Sequence, residues 1–184
     1  MVMPIFLHGN FAHLLYNTAF QVIFGIQFEF AFGAVKIGLI YIISGIGGNL
    51  FSSLLSDECS VGTSTCIFGL FGSILGYLLL NWKALSYKNS RRNEMIIFIL
   101  LIIILNTLSG INQPRIDNWG HFGGLLVGLF MGFILLDPVV TDSMLVNGRD
   151  GYFRSTKMRV ISLIFLAVYF FGGFWLFYSF RNPQ

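Results

Sequence analysis

Six long apolar stretches dominate the chain, at residues 11–32, 37–55, 64–82, 95–111, 119–136 and 160–180. Each comes near the ~20 residues that an α-helix needs to cross ~30 Å of hydrocarbon. A bilayer admits only segments that satisfy their own backbone polar groups, which leaves helices or closed barrels. Barrel strands alternate polar and apolar residues, and these runs do not. The expectation is an all-α polytopic membrane helix bundle of about six transmembrane helices, with residues 1–184 as a single domain. The first stretch is not a cleavable signal peptide. It lacks a basic leading segment and carries His13, Asn17, Gln21, Gln27 and Glu29.

The polar minority sets the orientation. Charged residues make up 10% of the chain, against about 25% in soluble domains. With a mean hydropathy of +0.77, this excludes an ordinary cytosolic enzyme and a disordered chain alike. Lys36 lies between the first two stretches. Lys83, Lys88, Arg91 and Arg92 lie between the third and fourth, and Arg149, Arg154, Lys157 and Arg159 between the fifth and sixth. Only Arg115 and Arg181 fall on the other side. The positive-inside rule then puts those three connections in the cytosol. The N-terminus, residues 56–63, residues 112–118 and the C-terminus face the lumen or the exterior. The net charge of +3 is thus sorted by membrane side, and nucleic-acid binding is not expected. An outside N-terminus with no preceding span points to an internal start at Met1 or to a missing upstream helix.

Ionisable and amide side chains inside a span are costly and mark candidate functional sites. The three histidines, His8, His13 and His121, all fall at the outer ends of stretches. Ser64 opens the third stretch at the same level, so topology alone gathers Ser64, His121, His13 and Asn17 at one depth. Along the first helix, His13, Asn17, Gln21, Gly25 and Glu29 recur every four residues as a slowly drifting stripe. For Gln21, Gln27 and Glu29 the expected setting is a polar seam buried against neighbouring helices.

Ser64 is followed by Gly69, Gly72 and Gly76, and His121 by Gly124, Gly128 and Gly132. Small residues at such spacing let helix backbones approach closely. If the third and fifth stretches pack through these faces, Ser64 and His121 meet at one end. A hydroxyl beside an imidazole is the minimum apparatus for a base-activated nucleophile. On these residues alone, a helix-capping hydroxyl and a satisfied histidine are the commoner explanation. The Gly-x-Ser-x-Gly elbow of soluble hydrolases is not matched, because Cys66 stands at its second glycine. His8 and His13 are five residues apart and miss the four-residue spacing of a helical zinc pair, so no metal and no cofactor is expected. Cys59 and Cys66 both belong to the outer side and are expected to be free thiols.

In this order and topology, four blocks resemble the rhomboid family of intramembrane serine proteases. They are His8-xxxx-His13-xxx-Asn17, Gln21-xxx-Gly25-xxx-Glu29, Gly62-Thr63-Ser64 with Phe68-Gly69-Leu70, and 117–124 (Asp-Asn-Trp-Gly-His-Phe-Gly-Gly) with Gly128. The resemblance implies a rhomboid-like bundle entered at the family's second helix, without its first helix and long outer loop. The sixth stretch would then be the extra C-terminal helix of secretase-type eukaryotic members, which favours a secretory-pathway or plasma membrane.

Carried over, the resemblance makes Ser64 the nucleophile and His121 its general base. His13, Asn17 and the Ser64 backbone N–H become oxyanion donors, and His8 a structural residue. Asp117 is not expected to complete a triad. The implied substrates are single-pass transmembrane proteins cut near the outer or lumenal leaflet. The family usually has Gly after the serine, where this chain has Thr65, and a small residue before it, where it has Thr63. Thr65 is expected to add bulk where the substrate backbone passes. One alternative is a catalytically inactive rhomboid-like protein that binds client membrane proteins and affects their trafficking. Another is a transporter using the stripe, which the near absence of charge in the second, fourth and sixth stretches disfavours.

Overall fold

The computed structural model describes residues 1–56, 62–87, 92–111, 116–139 and 149–181. Cys59, Lys88, Arg91, Arg115 and most of the connections 56–63 and 112–118 therefore lie outside the described residues. Every described element is helical. A 3-10 turn at Met3–Phe6 leads to α1 (Phe11–Phe20), which runs through a wider π-turn (Gln21–Gly25) into α2 (Ile26–Phe32). The helices α3 (Ala34–Leu55), α4 (Ser64–Leu80), α5 (Trp82–Tyr87), α6 (Arg92–Ile111), α7 (Asn118–Leu135) and α8 (Arg149–Leu176) follow. A second π-turn (Phe177–Arg181) extends α8.

The centre is a trio of α3, α4 and α7, held at backbone distance by glycine. A Cβ placed on Gly124, Gly128 or Gly132 of α7 would run into the carbonyl oxygen of Thr65, Gly69 or Ser73 on α4. The reverse holds for Gly72 and Gly76 against Leu125 and Leu129. The contacts ascend together in steps of four, so α4 and α7 run parallel in one register. The helix α3 runs against both. Its Gly48 lies against Gly120, Gly124 and Thr65, and its Ser44 against Gly69. Such close approach replaces side-chain interdigitation with backbone dispersion and Cα–H···O contacts. Ile40, Leu70, Phe71, Ile74 and Val127 complete an apolar core.

The other helices flank this trio. On α8, Phe165 stacks on Phe130 with ring centroids 3.9 Å apart, and the Tyr169 hydroxyl donates to the Gly47 carbonyl at 2.8 Å. Opposite, α1 and α2 run beside α4, while α6 buries Ile99 and Ile102 against the bundle. Its Ile97, Leu101, Ile104 and Leu105 are exposed, as lipid-facing side chains would be. Among the described residues, three helical segments are long and apolar enough to cross a membrane, Ala34–Leu55, Asn118–Leu135 and Ser155–Phe180, and Ser64–Leu80 is apolar but shorter. At the end remote from Ser64, Asp137 pairs with Lys36 of α3 and Arg159 of α8, tying three helices together.

One expectation fails here. Gln21, Gln27 and Glu29 are exposed rather than buried against neighbouring helices, while Gly25 and Phe28 are the buried positions of that stretch. The helix lies at the edge of the bundle, so only a narrow face is covered.

Candidate active site

The first turns of α4 and α7 end at the same level, and each is set by a local device. Before α4, Gly62 takes φ +128°, a conformation that side chains rarely adopt. A Cβ there would also come within 2.8 Å of the His13 ring. The glycine thus lets the chain turn into α4 while His13 stays close. At α7, Asp117 is the N-cap: its Oδ1 accepts from the Gly120 amide and from the Ser52 hydroxyl of α3, both at 2.8 Å. That cap satisfies an otherwise orphaned amide and fixes the start of α7 against α3.

From these starts the register of the glycine ladder brings two side chains together. The Ser64 hydroxyl lies 2.8 Å from His121 Nε2. The imidazole stacks on Phe68, one turn along α4, with centroids 4.2 Å apart and planes 1° from parallel. His121 is 7% exposed, and its Nδ1 has no hydrogen-bond partner among the described residues. For Nε2 to accept the serine proton, the neutral ring carries its own hydrogen on Nδ1. Among the described residues no carboxylate hydrogen-bonds that nitrogen: Asp117 gives its Oδ1 to Ser52 and the α7 cap, and its buried Oδ2 has no partner there.

Asn17 is 7% exposed, and its buried Nδ2 has no partner among the described residues, which leaves a donor unused by them at this end of the bundle. Asn17 and Ser64 share the wall of a small, partly open recess between α1, α4 and α6. His13 is half-buried beside Gly62 and in edge-to-face contact with His8 at 5.4 Å. His8 touches His13 and not the recess. The Ser64 amide belongs to the first turn of α4, where N–H groups have no intrahelical partner and the helix dipole favours negative charge. Ser64 and Asn17 thus open on one recess, with the His121 imidazole behind the Ser64 hydroxyl and His13 beside Gly62. Such an arrangement can activate a hydroxyl and hold a developing oxyanion. Among the described residues, no group of three or more His, Cys, Asp or Glu side chains is arranged to hold a metal ion.

One residue differs from expectation. Thr65 is wholly buried and faces Gly48 and Gly120, so its bulk lies in the α3–α7 contact and not in the path to Ser64. Cys66 is a free thiol, as expected, and is buried. Sequence reasoning assigned no role to Phe68 or Ser52, and it did not single out Asn106 of α6, which also borders the recess. For Phe68 the signal was available, four residues after Ser64 on the same helix face.

Comparison with known proteins places these features in context. The Rhomboid domain family model matches residues 1–138. RHOMBOID-like protein 5 of Arabidopsis thaliana is 42% identical over an alignment covering 95% of this chain and 59% of that protein. RHOMBOID-like protein 6, mitochondrial, from the same plant is 44% identical over 74% of this chain and 43% of its own length. Rhomboid protease GluP of Bacillus subtilis is 33% identical over 100% of this chain and 32% of its own. The chain thus spans about three-fifths or less of these relatives.

Proposed function

The chain belongs to the rhomboid family of integral membrane proteins, and from that premise we propose that it is an intramembrane serine protease using a Ser64–His121 dyad. The observation that carries this reading is the 2.8 Å contact between the Ser64 hydroxyl and His121 Nε2 beside a recess. The name of the Bacillus relative, a rhomboid protease, supports the same class.

In the proposed reaction, His121 Nε2 takes the Ser64 proton as Oγ attacks the scissile carbonyl. The resulting oxyanion is received by Asn17, His13 and the Ser64 amide. His121 then returns the proton to the departing amine, and water, activated by the same imidazole, hydrolyses the acyl-enzyme. A helical peptide bond is shielded by its own hydrogen bonding, so the substrate segment must unwind before attack. The substrates are single-pass transmembrane proteins.

We assign six membrane spans, formed by α1 with α2, α3, α4, α6, α7 and α8. Positive-inside sorting supports an orientation of Ser64 toward the lumen or exterior, and the resemblance of α8 to the extra C-terminal helix of secretase-type members favours a secretory-pathway or plasma membrane. The test is fluorophosphonate labelling of the reconstituted chain, together with cleavage of a transmembrane substrate by wild type and Ser64→Ala. Label on Ser64 and cleavage by the wild type alone are expected. Equal cleavage by both variants would overturn the assignment, and absence of labelling in folded protein would favour the client-binding alternative.

A further inference from the structure

The recess beside Ser64 has one polar side chain contributed by α6, Asn106. On its own helix the run Ile102-Ile103-Ile104-Leu105 precedes it, and Phe20, Phe68 and Ile102 share the recess wall with the polar Asn17 and Ser64. An amide in such a place costs free energy unless its donors and acceptor are matched, so packing does not account for it. Asn106 Nδ2 donates to the Ile102 carbonyl at 3.1 Å. A carbonyl only accepts, so the amide nitrogen is the end turned to the helix backbone. The acceptor Oδ1 is left over. It has no partner among the described residues, and it is not one of the sealed polar atoms of the bundle.

We propose that Asn106 is a specificity-determining residue, whose Oδ1 accepts a hydrogen bond from a hydroxyl-bearing substrate side chain next to the scissile bond. The proposal rests on the protease reading above. The recess is small and open on one side, and its apolar walls would meet the methyl groups of threonine and valine alike. Only the hydroxyl distinguishes the two. One neutral hydrogen bond at a half-buried position is worth about five- to ten-fold in selectivity.

The full chain, reconstituted in liposomes, is given transmembrane peptides carrying Thr, Val, Ser or Ala on each side of the scissile bond. Wild type is expected to favour Thr over Val and Ser over Ala in kcat/KM at one flanking position, by about five- to ten-fold. Asn106→Leu is expected to bring the Thr/Val ratio to one or below. Asn106→Ala serves as a second variant, with thermal unfolding reporting that each is folded. Equal ratios in wild type and both variants overturn the role of Asn106. Fluorophosphonate labelling of wild-type Ser64 is read in parallel. Labelling with unchanged ratios removes Asn106 alone, whereas no labelling and no cleavage removes the protease reading and the Asn106 role with it.

Discussion

His121 Nε2 and the Ser64 hydroxyl are 2.8 Å apart because Gly124 lies on the Thr65 carbonyl one residue further along α4. The two side chains come from helices 57 residues apart in sequence, and their meeting depends on how those helices are registered.

If Ser64 and His121 act as one unit, removing either disables the same step. Ser64→Ala and His121→Ala are each expected to lower cleavage by at least about 1000-fold. The double variant is expected to be no slower than either single one, measured as turnover of a transmembrane substrate in liposomes. Additive losses would separate the two roles.

The unpaired Asn17 donor makes a second claim. Asn17→Ala is expected to lower kcat by about 100- to 1000-fold with little change in KM, because an oxyanion donor acts chiefly in the transition state. Fluorophosphonate labelling should slow in parallel. A change confined to KM would make Asn17 a substrate-binding group.

Stability should follow the glycine ladder. Gly128→Ala puts a methyl group into the Gly69 backbone and is expected to destabilise by about 1–3 kcal/mol, read as a lower Tm in detergent. Gly38→Ala on α3 meets open space and is expected to be neutral or slightly stabilising, since alanine is the better helix former. Similar Tm shifts for both would deny the ladder its special role.

The Asp137 cluster gives a pH dependence. The Lys36 ammonium, by its hydrogen bond first and then by its charge together with Arg159, holds the Asp137 carboxyl below its ordinary value. A depressed carboxyl stabilises the folded state above its unfolded pKa of about 4, and that contribution is lost as pH falls through the lower folded value. The residue is largely exposed, so the effect is small. Unfolding of wild type and Asp137→Asn, followed in detergent between about pH 6 and pH 3, should converge toward the acid end. A constant gap would place the contribution elsewhere.

Much of this was legible in the residues themselves. An apolar run of membrane length has few alternatives to a helix, which is why the expected stretch 64–82 and the observed Ser64–Leu80 agree so closely. Glycines at close spacing marked candidate contact faces of α4 and α7, and a serine and a histidine at the head of those faces meet if the two helices pack through them. What stayed hidden depended on helix rotation and neighbours. Thr65 could point toward the recess or away from it, and only the position of α3, with Gly48 against it, turns it inward. Gln21 and Glu29 would be buried on a central helix and are exposed on a peripheral one. Asn106 sits in an apolar run with no motif, and its importance depends on which side of α6 faces Ser64.

The backbone ladder between α4 and α7 also ties the chemistry to helix position. Its rungs recur every four residues. A slip of one rung would carry one helix about 6 Å along the other at 1.5 Å per residue. The serine oxygen would then lie far beyond reach of the imidazole, so the contact with Nε2 exists only while the rungs stand in register.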